Sequence, residues 1–76
     1  HINNMKRVLI IDDDTYICTL LEKYLKKNGY DVDIAYTGKT GLAKLKKDNF
    51  DIVLCDFRLP DVDGKQMLND IKEHNA

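Results

Sequence analysis

Val8-Leu9-Ile10-Ile11 is an unbroken aliphatic run that stops at three consecutive aspartates, Asp12-Asp13-Asp14. A strand with one wet face alternates apolar and polar residues, whereas a strand covered on both faces reads as a continuous apolar run. This run therefore needs a layer above it and a layer below it. Asp51-Ile52-Val53-Leu54-Cys55 is a second run of the same kind, and it too ends in an aspartate, Asp56. Between them, Asp31-Val32-Asp33-Ile34-Ala35 alternates, which predicts a strand with one exposed face at a sheet edge.

The covering layers are legible in the intervening segments. From Thr15 to Asn28 the apolar positions Ile17, Leu20, Leu21, Tyr24 and Leu25 fall on one helical face. An aspartate just before the segment can cap its free amides, and Gly29 ends it. Thr37-Gly38 opens a second helix to about Asp48, with Leu42 and Leu45 inward and lysines outward. Gly41 inside it costs about 1 kcal/mol relative to Ala. A loop from Phe57 to Asp63 leads to Gly64 and a third helix bearing Met67, Leu68 and Ile71. Strand–helix alternation with short connections predicts parallel strands joined by right-handed crossovers, an α/β sheet covered on both faces. The two continuous apolar strands, first and third, are the expected central neighbours.

Composition sets the remaining bounds. With 76 residues the chain is one domain at most, since compact domains run to about 100–150 residues. Leu, Ile, Val and Phe make up 22 of those residues, above the roughly 20% below which disorder is expected. A net charge of -1 provides no global field for nucleic acid or an anionic membrane. Lys23, Lys26, Lys27, Lys44, Lys46 and Lys47 read as solvated helix faces, because no aromatics are interleaved as a nucleic-acid surface would require. No apolar run approaches the roughly 18 residues that span a bilayer, and no secretory signal opens the chain. His1-Ile2-Asn3-Asn4 reads as a tag remnant, leaving residues 5–76 for the fold. Cys18 and Cys55 lie in apolar settings without Cys-x-x-Cys spacing, so they read as free buried thiols suited to a reducing cytoplasm. No His/Cys cluster offers a zinc site.

The acidic residues are eleven Asp and only two Glu. Asp is a poor residue for helix interiors and a good cap, turn former and metal ligand, so the skew places chemistry or capping in loops. Adjacent parallel strands lie about 4.8 Å apart, so Asp12 and Asp13 should converge with Asp56 if the first and third strands are neighbours. In open α/β sheets ligands bind at this carboxyl end. Three carboxylates so close repel one another unless a cation neutralises them. Hard oxygen ligands with room for water suit Mg²⁺, and a carboxylate beside Mg²⁺ can attack phosphorus to form an acyl phosphate. The plainer reading, in which these aspartates merely cap a helix and end a strand, fits Asp14 better than the others.

Val8 to Asp14 resembles the first strand and acidic pair of bacterial response-regulator receiver domains, and Val53 to Gly64 resembles their phosphorylation loop. The resemblance runs from Lys6 to about His74 with matching element order. It implies a flavodoxin-like doubly wound parallel sheet, here limited to three β-α units. It also implies that Asp56 is the phosphoacceptor and that Asp12, Asp13 and Asp56 hold Mg²⁺, Asp13 directly and Asp12 through water. The backbone carbonyl of Arg58 would complete the protein ligands, with Pro60 and Gly64 shaping the loop. Such a domain is not an enzyme in the usual sense. It takes a phosphoryl group from a sensor histidine kinase in the cytoplasm and controls an output domain, such as one that binds DNA.

Receiver domains have five units, and the fourth and fifth deliver a switch Ser or Thr, a Lys and an aromatic with no counterpart in this chain. Lys65 and Lys72 fall in the third helix and do not replace that Lys. The chain is therefore expected to be the first part of a larger regulator. In the 2-1-3-4-5 strand order of such folds, the third strand would present an unpaired apolar edge, a template for pairing with a second copy. Two other classes compete. Asp12-Asp13-Asp14-Thr15 also resembles the Asp-x-Asp start of haloacid-dehalogenase-type phosphatases, although that family places Gly before the Thr. The site could also be vestigial in a non-phosphorylated interaction module. Asp61-Val62-Asp63-Gly64 does not fit a calcium loop, since the first ligand position would be Leu59 and the twelfth Asp70.

Overall fold

Strand order decides where the acidic residues meet. In the computed structural model, which describes residues 5–56, 58–61, 65, 66, 69 and 72, the elements are β1 (Arg7–Ile11), α1 (Thr15–Lys27), β2 (Asp31–Ala35), α2 (Gly38–Lys47) and β3 (Ile52–Cys55). The strands form a parallel sheet in the order β2-β1-β3. The chain leaves β1 in one direction to reach β2 and crosses back to reach β3. Successive crossovers of one hand in opposite directions place their helices on opposite faces, which is the doubly wound arrangement.

The side chains of β1 divide between those faces. Val8 and Ile10 join Cys18 of α1, with Leu21, Leu25, Tyr30, Val32 and Ile34 packed around them. Leu9 and Ile11 join Ala35, Leu45 and Leu59, with Leu42, Phe50, Val53 and Cys55 around them. The continuous apolar run is thus accounted for: β1 has a strand on each edge and a helix on each face. Gly41 has a packing reason, because a Cβ there would lie 2.6 Å from Cδ1 of Ile11. The helix and the sheet approach too closely at that point for any side chain.

The helix ends are capped as expected. The Asp14 carboxylate accepts from the amides of Tyr16 and Ile17 at the start of α1. At its end the Gly29 amide donates to the Lys26 carbonyl and the Tyr30 amide to the Leu25 carbonyl. This closing pattern needs the φ of +89° that Gly29 adopts. Thr37 caps α2 by accepting from the Thr40 amide.

Two expectations need correction. Of the five residues assigned to the buried face of α1, Leu21 and Leu25 pack on the core, but Ile17, Leu20 and Tyr24 are exposed. The helix is turned so that Cys18, at 0% exposure, points inward instead. The apolar stripe is wider than the contact that β1 and β2 offer, and packing chose one side of it. β3 reads as buried on both faces, yet Ile52 and Leu54 remain 38% and 37% exposed. Val53 and Cys55 lie on the α2 side and are covered there, whereas α1 lies over β1 and β2 and leaves the other side of β3 open. Among the described residues no strand pairs with the outer edge of β3.

Lys65, Gln66, Asn69 and Lys72 are helical, in agreement with the third helix. Phe57, Val62, Asp63, Gly64, Met67, Leu68 and Ile71 lie outside the described residues. No helix is long and apolar enough to cross a membrane among the described residues.

Candidate functional site

The last rungs of two ladders build the site. The Asp12 amide donates to the Ala35 carbonyl at 3.0 Å and the Asp56 amide donates to the Ile11 carbonyl at 2.9 Å. These bonds carry the parallel register, in which Ile11 stands opposite Ala35 and Cys55, one residue past the strand ends. Asp12, Asp13 and Asp56 consequently present carboxylate oxygens that all lie within 4.8 Å of one another. Asp13 is exposed, while Asp12 and Asp56 are half-buried. The third aspartate of the run behaves differently: Asp14 is occupied as the α1 cap and lies outside the cluster.

Local hydrogen bonds hold the individual carboxylates. Oδ1 of Asp12 accepts from the Asp14 amide at 3.0 Å. Oδ1 of Asp56 accepts from the Arg58 amide at 2.9 Å, and the Arg58 Nε stands 3.6 Å from the same oxygen. The Arg58 side chain is 93% exposed, so this ion pair is well screened. Sequence reasoning assigned Arg58 a backbone role alone; the approach of its guanidinium to Asp56 is an addition from the structure. Pro60 is exposed in the loop after Asp56, and Gly64 lies outside the described residues.

Neither cysteine forms a disulfide among the described residues; Cys18 is buried as expected, but Cys55, on the edge strand, is only half-buried. Burial, with the charges of Asp56 and Asp12 beside it, pushes the Cys55 thiol up to about 11. Burial, with the acidic residues at the site adding to it, also raises Cys18, whose Sγ lies 3.3 Å from the Asp12 carbonyl oxygen. Both shifts favour the neutral thiol over the thiolate.

The donor set fits Mg²⁺. It consists of hard carboxylate oxygens gathered at one point and open to water on the Asp13 side. It contains no imidazole, and the neighbouring sulfur is protonated.

The chain matches the family model of the response regulator receiver domain over residues 8–76. It belongs to that family. It is 43% identical over 68 residues to the transcriptional regulatory protein ZraR of Salmonella typhimurium, covering 90% of this chain and 15% of that protein. It therefore spans only a small part of the length of the curated relatives it matches. Among solved structures, a CheY-like receiver domain protein from Methanospirillum hungatei superposes with a TM-score of 0.88 at 40% identity, covering 92% of this chain and 56% of that one. The response regulator TrrA of Thermotoga maritima superposes at a TM-score of 0.84 and 35% identity, covering 91% and 60%, in a complex with Mg²⁺ and BeF. TrrA has also been solved with the histidine kinase ThkA. The match extends through the acidic loop after β3, which a dehalogenase-type phosphatase did not explain.

As a receiver domain the chain has the expected fold, and its three aspartates meet where residue order puts them. The role of Asp61 is a contact that the sequence did not signal. Both of its carboxylate oxygens accept backbone amides of α2, from Gly38 at 2.9 Å and from Lys39 at 2.9 Å. Those two hydrogen bonds, Lys39 first, hold the Asp61 carboxyl below its ordinary value. Its partners are main-chain groups 22 and 23 residues away, so no pattern of side chains could announce the contact.

Proposed function

We propose that this receiver domain accepts a phosphoryl group on Asp56 from a sensor histidine kinase, with Mg²⁺ held by Asp12, Asp13, Asp56 and the Arg58 backbone carbonyl. The observation that carries the reading is the convergence of three carboxylates within 4.8 Å at the carboxyl ends of β1 and β3. Asp56 is the one that follows the third strand and opens the family's phosphorylation loop. Its carboxylate oxygen attacks phosphorus, an acyl O–P bond forms, the P–N bond of the donor phosphohistidine breaks, and the electron pair stays on the imidazole. Mg²⁺, when bound, neutralises the oxygens of the incoming phosphoryl group. The Arg58 amide, bonded to Oδ1, fixes the rotation of the nucleophilic carboxylate. Asp12 and Asp13 gather cation charge at that oxygen, and β1 holds them rigidly because all of its residues from Val8 to Ile11 are buried.

On this reading the domain is a signalling module rather than an enzyme, and any turnover is limited to its own phosphorylation and dephosphorylation. The kinase complex of TrrA supports a kinase partner. The transcriptional regulators among the relatives support a DNA-directed output in a cytoplasmic protein. In the full-length protein, incubation with acetyl phosphate and Mg²⁺ should add one phosphoryl group by mass spectrometry, and Asp56→Asn should abolish it. Undiminished labelling of Asp56→Asn would reassign the acceptor. A protein that never labels, from acetyl phosphate or from its kinase, would be a vestigial interaction module.

A further inference from the structure

The loop after Asp56 is fastened at successive points. The Arg58 amide bonds back to Asp56. Leu59, only 4% exposed, enters the core beside Leu9, Ile11, Ala35 and Leu45. Asp61 then grips the amides of Gly38 and Lys39.

The amides at the start of α2 show which partner depends on the grip. Thr40 donates to the Thr37 hydroxyl and Gly41 to the Thr37 carbonyl, so the helix has its own cap. The Lys39 amide is exposed and readily satisfied by water, whereas Gly38 is buried and its amide has the Asp61 carboxylate as its partner. The described residues from Arg58 to Asp61 belong to no helix or strand, and their path relies on Leu59 and on Asp61. Charge-assisted bonds to two adjacent amides also fix direction better than one bond would, and an anion is favoured at a helix N-terminus.

We propose that Asp61 is a positioning residue for the acidic pocket: by clasping the first two amides of α2 it holds the Arg58 backbone in the place where it completes the cation-binding set beside Asp56. The proposal rests on the reading of Asp12, Asp13 and Asp56 as a Mg²⁺ site. It makes α2, which carries none of the site's aspartates, part of the site's support. Groups that hold a ligand's backbone act on affinity through geometry, and losing such a support typically weakens metal binding about 10–100-fold.

Mg²⁺ titration of the full chain, followed by amide NMR, tests this. Asp61→Ala should weaken Mg²⁺ binding by about tenfold, while Thr37→Ala, which removes the helix's own cap, should change it by less than about twofold. Asp61→Asn, keeping one acceptor, should fall between wild type and Asp61→Ala. Coupling is reciprocal, so saturating Mg²⁺ should slow hydrogen exchange at the Gly38 and Lys39 amides of the wild-type chain. Wild-type affinity in Asp61→Ala would overturn the proposal. An equal loss in Thr37→Ala would overturn it too, by showing that α2 stability is what matters. If Asp61→Ala does not fold, the exchange experiment and Asp61→Asn decide, and no change in either refutes the clasp. A wild-type Mg²⁺ affinity indifferent to Asp13→Asn would instead show that the cation site itself is misread, and both conclusions would fall.

Discussion

On the α2 face of the sheet, Leu9, Ile11, Ala35, Leu45 and Leu59 are sealed, and Leu42, Phe50, Val53 and Cys55 close the margins. On the α1 face, Val8, Ile10 and Cys18 are sealed, but Ile17, Leu20, Tyr24, Ile52 and Leu54 remain open to water. α1 carries more large apolar residues than the sheet beneath it covers, whereas the two leucines of α2, Leu42 and Leu45, both pack on the core. α2 is joined by the loop after β3, which sends Leu59 back under the helix and Asp61 onto its first turn. α1 receives no such reinforcement among the described residues. The face that is closed is also the face that supports the loop after Asp56, so core packing and the geometry of the acidic cluster are one structure there.

The contrast can be broken most directly by truncating one leucine on each face. Leu45→Ala should destabilise the fold by about 3 kcal/mol, within the range for leucines removed from a sealed core. Leu20→Ala should stay within about 0.5 kcal/mol, as exposed positions usually do. Urea unfolding measures both, and similar losses would show that the faces are equally closed.

A second prediction concerns the close approach of α2 to the sheet. Gly41→Ala would gain about 1 kcal/mol of helix propensity, yet its Cβ meets Ile11 at 2.6 Å. Overpacking of that kind costs about 1–3 kcal/mol, so the net effect should be a loss. In an Ile11→Ala background the sign should reverse, a coupling that a double-mutant cycle reads directly. Additive effects would mean that the helix can move away freely.

The open face makes a third prediction. The edge of β3, with Ile52 and Leu54 exposed, should let the 76-residue chain associate with itself. Leu54→Lys should reduce that association in sedimentation experiments while changing monomer stability by no more than about 0.5 kcal/mol. A wild-type chain that stays monomeric at high concentration would refute the edge argument.

The smallest effect expected is electrostatic and lies back on the α2 side. Burial alone would raise the Asp33 carboxyl, but its hydrogen bonds from Lys44 and the Ile34 amide, with the charges of Lys44 and Arg7, outweigh it and hold the group below its ordinary 3.8. A lowered folded-state pKa means that the stabilisation is complete above pH 3.8 and is lost as pH falls through the folded value. Lys44 and Asp33 sit 2.8 Å apart but are about a third exposed, so the pair contributes well under 1 kcal/mol. NMR titration of Asp33 in Lys44→Met should show the depression relieved, with stability at neutral pH nearly unchanged.

Much of this molecule is legible in residue order. The continuous run Val8 to Ile11 demands two covering layers, and alternation in Asp31 to Ala35 marks an edge; both follow from the period of two in a strand. The meeting of Asp12, Asp13 and Asp56 follows from the sequence as well, because parallel neighbours bring their carboxyl ends to one level. Cap residues are equally readable, since Asp14, Gly29 and Thr37 act on groups only a few residues away.

Tertiary structure decided what depends on a particular neighbour. Ile17, Leu20 and Tyr24 are as apolar as Leu21 and Leu25, and only the position of the sheet beneath α1 turned Cys18 inward in their place. β3 has the sequence of a buried strand, but burial requires something lying on it, and α1 lies elsewhere. The Arg58 guanidinium beside Asp56 and the Asp61 carboxylate on α2 depend on where a loop without periodicity passes. Local chemistry repeats along a chain and can be read from it. Contacts between side chains and distant backbone amides do not repeat, because every residue offers the same amide, so only the folded geometry selects which one is used.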